Sequence, residues 1–273
     1  MTGDRPGRAD LHIHTLASDG TADVGSVLEH VARRGDLDVI AITDHERIDA
    51  ALAGRSMARD RGLAFEVVVG EEVTTLGGHL LALFIERPIR PYRSLRATIA
   101  AVHDAGGLAV PAHPLVPYPL CAQGWALRRL LDDPDPSVHP DALETFNPTA
   151  LGRPWHDRVV RFADRHGLAR LGNSDAHALD AIGIGWTTFD GRTAADLRAS
   201  IEGRATVDGG SFHGTAGQVG VFGKQLRKRA RDARDEVAGR VRRDGTGRDH
   251  GYPGGRARPP RFDPPATRDE IGS

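Results

Sequence analysis

An α/β fold with a largely parallel sheet is the class this sequence predicts, and two observations predict it. Seven short apolar runs recur along residues 9–172, each bounded by Gly, Pro, Asp or Asn as buried strands are. Amphipathic helical stretches lie between most of them. Strand–helix alternation over about 200 residues argues for either a closed barrel or a doubly wound sheet.

The strand-like runs are Ala9–Thr15, Asp38–Thr43, Phe65–Thr74, His79–Ile85, Leu108–Ala112, Ala142–Phe146 and Ala169–Gly172. Three helices are predicted between them. Val24–Arg34 puts Val24, Val27, Leu28 and Val31 on one face. Leu95–Ala105 repeats the rhythm with Leu95, Ile99, Val102 and Ala105, and Pro154–His166 carries Val159, Val160, Phe162 and Ala163. These elements form a body over residues 1–213. A glycine-rich linker and basic helix are expected over 214–243, and a disordered tail rich in Gly, Pro and Arg over 244–273.

Composition narrows the function. With 39% hydrophobic and 27% charged residues the 273-residue chain can bury a core. No apolar run approaches the roughly 20 residues that span a bilayer. The charged N-terminus has no apolar segment behind it, so no secretory signal is expected and the protein reads as cytoplasmic. The single cysteine, Cys121, excludes an internal disulfide and a thiolate zinc cluster. Charge is uneven. Residues 1–215 hold 22 basic and 29 acidic side chains, and residues 216–273 hold 14 and 8. An acidic body opposes binding of a polyanion, so nucleic acid is the less favoured partner. The tail's thin apolar stripe (Val221, Leu226, Ala230, Ala233, Val237, Val241) fits a solvated helix resting on the body better than contact with an anionic membrane or nucleic acid.

The chemistry gathers at strand ends. His12 and His14 are two apart in the first run, so both can reach one metal, with Asp19 close behind in the loop. Two surface histidines on an edge strand are the plain alternative. The second run ends Thr43-Asp44-His45, where Asp44 reads as a helix N-cap and His45 as a ligand. The third carries Glu71 and Glu72. Alternation lets only one face the interior, and the other is expected to be exposed. His79 opens the next strand across a short turn, near the inward carboxylate. His113 ends the fifth run, and Asp175 and His177 follow the seventh. Glu144 and Asn147, at the end of the sixth, read as hydrogen-bonding support. His30, His103 and His166 read as surface or boundary residues of helices. His139, His156, His213 and His250 are set aside, with His156 keeping a small chance of touching substrate. Nine candidate ligands exceed what one ion holds, which implies two or three divalent metals; nitrogen and oxygen ligation suits zinc, manganese or iron(II).

The motifs His12-Ile-His14, Ser18-Asp19-Gly20, Thr43-Asp44-His45, Gly70-Glu71-Glu72-Val73, His79, Ala112-His113-Pro114 and Asn173-Ser174-Asp175-Ala176-His177 resemble, in order, those of the PHP (polymerase and histidinol phosphatase) domain. The resemblance covers about residues 9–210. It implies a distorted seven-stranded (β/α)7 TIM-like barrel with a trinuclear site at the C-terminal strand ends. By this resemblance His12, His14 and Asp175 hold one ion. Glu72 bridges it to a second that His79 and His113 complete, and Asp19, His45 and His177 hold a third. The implied activity is a metal-dependent phosphoesterase that cleaves small phosphomonoesters with a metal-bridging hydroxide. A nuclease or nucleotide phosphatase, a carboxylic or carbamate ester hydrolase, and a metal-stabilised binding module are the competing readings. Only about forty residues separate Glu72 from His113, so the helical insert of many nucleotide-cleaving members has no room. Arg153 is the candidate for gripping the phosphate.

Overall fold

The computed structural model describes residues 5–118, 120–149 and 152–212. The linker, basic helix and tail expected over 214–273 lie outside the described residues, as do His213 and His250. All seven predicted strands form. They are β1 (Gly7–Ile13), β2 (Val39–Ile42), β3 (Glu66–Thr75), β4 (Gly78–Leu83), β5 (Leu108–Pro111), β6 (Ala142–Phe146) and β7 (Ala169–Gly172), followed by β8 (Gly185–Phe189) and β9 (Val207–Gly210). The helices are α1 (Val24–Arg34), α2 (Asp49–Asp60), α3 (Leu95–Asp104), α4 (Gly124–Leu131), α5 (His156–His166) and α6 (Ala194–Glu202).

A curled sheet runs in the order β5-β4-β3-β2-β1-β8-β9, and β6 and β7 form a second, parallel pair. The largely parallel sheet expected from the sequence is in fact mixed. β1, β2 and β3 are parallel, but β4 is antiparallel to both β3 and β5, and β8 to both β1 and β9. The reason lies in the connection. Only Leu76 and Gly77 separate β3 from β4, and two residues can join antiparallel strands but cannot make the crossover a parallel pair needs. The β6–β7 pair fills the gap between the sheet's flanks. Asp141 N donates to Ala109 O at 3.0 Å, joining β6 to β5. Gly172 N donates to Thr187 Oγ1 at 3.0 Å, joining β7 to β8.

Strand alternation divides the apolar side chains into two cores. Val39, Ala41, Val68, Leu81, Leu83 and Val110 pack inside the curl, with Leu171 and Phe189 from the far flank. Ile40, Ile42, Val67, Val69 and Leu80 face outward beneath Val27, Leu28 and Val31 of α1 and Ile99 and Val102 of α3. Both faces of the central strands are therefore buried, which is why they read as unbroken apolar runs. Caps hold the helix ends. Asp23 accepts from Ser26 N at 2.9 Å at the start of α1, and Gly35, at φ 65°, closes it.

β1 carries the irregularity that matters most. Its register against β2 shifts between Asp10 and Ile13. Ala9 and Leu11 belong to the inner core, whereas Ile13 belongs to the helix-side core. The bulge inverts the alternation, so His12 and His14 turn inward where the strand's first half pointed Ala9 and Leu11.

Candidate metal centre

All nine predicted ligands meet at one end of the curl. β1 delivers His12 and His14, the turn after it Asp19, and the end of β2 His45. β3 delivers Glu72 and the start of β4 His79. His113 follows β5, and Asp175 and His177 follow β7. His12, His14, Asp19, Glu72, His79 and His177 are buried, and the other three are half-buried.

Glu72 sits at the centre with its two oxygens facing different partners. Oε2 lies 3.2 Å from Nε2 of both His12 and His14 and 3.5 Å from His45 Nε2. Oε1 lies 2.8 Å from His79 Nδ1 and 3.2 Å from His113 Nε2. Asp175 Oδ1 is 3.5 and 3.4 Å from Nε2 of His12 and His14. Asp19 Oδ1 is 3.2 Å from His177 Nε2 and 3.9 Å from His45 Nε2. Among the described residues four groups of three donors converge within 4.8 Å: His12/His14/Asp175, His14/His45/Glu72, His14/Asp19/His177 and Glu72/His79/His113. His45 thus falls between the implied third set and the central carboxylate.

The donor chemistry fits divalent cations. The buried Nε2 atoms of His12 and His14 have no hydrogen-bond partner, although both face carboxylate oxygens. Two donors held about 2.1 Å from one ion in tetrahedral array stand roughly 3.4 Å apart, close to the spacings seen here. Charge makes the same case. Burial opposes ionisation of Glu72 and Asp175, yet the surrounding imidazoles hold both carboxyls well below their usual range. Burial likewise opposes protonation of His12 and His14, but the neighbouring carboxylates prevail; His14 is pushed up to about 10 and His12 well above its ordinary value. His45 goes the other way, driven down by burial and further by His14 and His79. A concentration of buried anions that draws protons onto its neighbours is one that draws cations.

Polar residues behind the cluster fix its geometry. Glu144 Oε1 accepts from His12 Nδ1 at 2.9 Å, and Glu144 Oε2 accepts from His113 N at 2.7 Å. Asn147 Nδ2 donates to Glu144 Oε2 at 3.1 Å and to Asp175 Oδ2 at 3.3 Å, the supporting role the sequence suggested. Two expectations are corrected. Asp44 caps no helix, because α2 begins at Asp49. It accepts instead from Thr15 N at 2.7 Å and from Thr15 Oγ1 at 2.6 Å, anchoring the turn that carries Asp19. Glu71 is not exposed. It faces outward as alternation requires, but the chain between β4 and α3 folds back over it and Ile89 N donates to Oε1. Burial pushes its carboxyl up to about 8.

Sequence reasoning passed over Asp10 and Asn173 as site residues. Asp10 accepts from Ser174 N at 3.0 Å and Gly183 N at 2.7 Å, and Asn173 Nδ2 donates to Glu144 Oε1 at 2.9 Å. The signal was present, since both are polar residues placed at or beside an apolar strand. His113 (φ 32°) and Asp175 (φ 50°) adopt left-handed backbone, sparsely populated for residues with a Cβ and kept here by surrounding bonds. Arg153 is the one predicted site residue that is exposed; its guanidinium carbon lies 5.6 Å from the Phe212 ring centroid. His156 Nδ1 donates to Thr145 O at 3.0 Å, and the ring shares a small cavity with His113, Glu144 and Asn147.

Known proteins resemble this chain in segments of sequence and in fold. A model of the PHP-associated family matches residues 153–206. An uncharacterized protein of Methanocaldococcus jannaschii is 31% identical over 151 residues, covering 51% of this chain and 81% of that protein. The 5'-3' exoribonuclease Rnm of Salmonella typhimurium is 39% identical over 67 residues, 24% of this chain and 22% of that enzyme. Among solved structures, a two-domain Bacteroides vulgatus protein containing a predicted PHP-like metal-dependent phosphoesterase superposes with a TM-score of 0.61 at 17% identity. That match covers 77% of this chain and 66% of the other.

Proposed function

The chain belongs to the PHP-domain metallohydrolases, and from that premise we propose that it is a metal-dependent phosphoesterase acting on small phosphomonoesters. The observation that carries the reading is the gathering of nine nitrogen- and oxygen-bearing side chains, Glu72 with five imidazoles about its two oxygens at their centre, with the Nε2 atoms of His12 and His14 unbonded. In this reading the seven strands of the curled sheet and the β6–β7 pair, nine strands in all, together make a distorted TIM-like barrel. His12, His14 and Asp175 would hold one ion, Glu72 with His79 and His113 a second, and Asp19, His45 and His177 a third. Two to three divalent ions of zinc, manganese or iron would supply Lewis acidity toward phosphoryl oxygens and acidify water enough for it to act near neutral pH.

The chain's own residues do the positioning. Glu144 keeps the His12 proton on Nδ1, leaving Nε2 as a lone-pair donor. Asn147 restrains Asp175, and Asp44 restrains the Asp19 turn. Arg153 is the proposed phosphate grip. The local likeness to an exoribonuclease favours a second reading, a nucleotide or oligonucleotide substrate, against which the acidic body counts.

The test is metal content and turnover measured on the same preparation, purified without added metal or chelator. Two to three equivalents per chain with hydrolysis of p-nitrophenyl phosphate are expected. A panel of nucleoside bisphosphates, short RNA and neutral esters then separates the readings. Faster turnover of neutral esters than of any phosphomonoester overturns the phosphoesterase assignment. Little metal, and no activity after manganese, iron or zinc is supplied, overturns the hydrolase and favours a binding module.

A further inference from the structure

We propose that Cys121 is a positioning residue of this centre: its sulfur holds the Nδ1 edge of His113 and thereby aims Nε2 at Glu72 and the ion it shares. The inference rests on the metal-centre reading above and adds a residue that no ligand pattern contains. His113 Nδ1 lies 3.3 Å from Cys121 Sγ, and Nε2 of the same ring lies 3.2 Å from Glu72 Oε1. A neutral imidazole carries one N–H, and the nitrogen that binds a metal is the one without it. The proton of a ligating His113 is therefore on Nδ1, and the atom that receives it is the sulfur.

The neighbouring rings show the same arrangement with other acceptors. His12 Nδ1 meets the Glu144 carboxylate at 2.9 Å, and His177 Nδ1 meets the Asp175 carbonyl at 2.9 Å. Holding the far edge of a ligating histidine fixes both ring orientation and tautomer. His113 differs in leaning on a thiol, a weak and uncharged acceptor.

The loop bearing Cys121 is built to keep that sulfur in place. His79 N donates to Leu120 O at 2.8 Å, and Leu115 N donates to Ala122 O at 2.8 Å. Gln123 Nε2 bridges Val116 O at 2.8 Å and Cys121 O at 2.9 Å. Gly78, at φ 124°, lets the loop backbone press against the start of β4; a Cβ there would lie 2.4 Å from Ala122 N. His113 is fixed from its other side, where its backbone N–H donates to Glu144 Oε2 at 2.7 Å. Ring and sulfur are thus each anchored independently of their contact, and the same loop tethers His79, the partner of His113 on Glu72 Oε1.

Two variants of the full chain test this, Cys121→Ala and Cys121→Ser. Metal-stripped protein is titrated with zinc against a chromophoric chelator, with thermal unfolding of the metal-free forms alongside. Cys121→Ala is expected to weaken zinc binding by about tenfold or more, and Cys121→Ser to recover most of the loss because a hydroxyl still accepts. In the zinc-loaded unmodified chain, imidazole nitrogen-15 spectra are expected to place the His113 proton on Nδ1. Wild-type zinc affinity in Cys121→Ala, equal weakening in both variants, or a proton on Nε2 each overturns the proposal alone. Failure of the unmodified chain to take up zinc overturns it together with the metal-centre reading.

Discussion

Glu144 and His12 form a wholly buried pair, with Oε1 2.9 Å from Nδ1, and the other carboxylate oxygen reaches 2.7 Å to the backbone N–H of His113. One side chain from β6 thereby restrains two proposed ligands from two other strands. Burial raises the cost of the Glu144 charge, yet His12 and then His113 hold its carboxyl below the usual range. Glu144→Gln keeps the shape but replaces an anionic acceptor by a neutral amide. Such outer partners typically contribute 10–100-fold, so this variant is expected to lose roughly that much metal affinity or turnover, with secondary structure unchanged. Wild-type metal retention during dialysis against chelator would show that the pair is merely packed.

Among the described residues Glu72 is the only carboxylate that reaches five of the imidazoles, three through Oε2 and two through Oε1. Removing it leaves those rings without a shared counter-charge. Glu72→Ala is expected to abolish activity and to leave well under one equivalent of metal per chain by plasma mass spectrometry. Wild-type rates in this variant would sink the bridging assignment.

Much of this site could be read from strand ends alone. His45, His113 and Asp175 follow apolar runs, and an apolar strand that stops in polar residues has placed them at the rim of a sheet. What could not be read was anything set by long-range pairing. The β1 bulge leaves no mark in Leu11-His12-Ile13, because it exists only as a register shift against β2. Glu71 looks exposed by alternation, but its cover comes from Ile89, eighteen residues on. The helix expected just after Asp44 begins only at Asp49; Ala50, Ala51, Gly54 and Ala58 make its buried face, and small side chains give a weak apolar rhythm that leaves its start poorly marked. β8 and β9 escaped because Thr187 and Gly209 carry little apolar signal; their place depends on β1 and β7.

His103 offers a pH test away from the metal centre. Its Nε2 lies 2.9 Å from Asp141 Oδ2 and its Nδ1 donates to Ser137 O at 2.6 Å. The Asp141 contact raises its pKa above the ordinary 6.5, against the opposing effect of burial. A raised folded-state pKa means that the folded chain binds the proton more tightly. The stabilisation is complete below about pH 6.5 and is lost as pH climbs through the folded value. His103→Gln should therefore destabilise by about 0.5–1 kcal/mol near pH 5.5 and by less at pH 9, measured by urea denaturation. A difference that grows with pH contradicts the assignment.

Gly172 sits where β7 meets β8 and β9, and its missing side chain makes that contact possible. A Cβ there would lie 2.4 Å from Trp186 O and 2.9 Å from both Gly209 N and Gly209 O, all of them backbone atoms. Thr187 Oγ1 bonds to both polar groups of this residue, accepting from its N–H at 3.0 Å and donating to its carbonyl at 2.9 Å. Relief of the clash requires β7 to move from β8, which breaks those bonds and displaces Asn173, Asp175 and His177 just beyond the strand end. Gly172→Ala is expected to cost about 2–4 kcal/mol, the range of overpacking compounded by lost buried hydrogen bonds. It should also lower metal affinity although the residue touches none of the proposed ligands. Thermal unfolding and zinc competition on one preparation check both effects, and a stable variant with unchanged affinity would mean that the seam between the two sheets is looser than its hydrogen bonds imply.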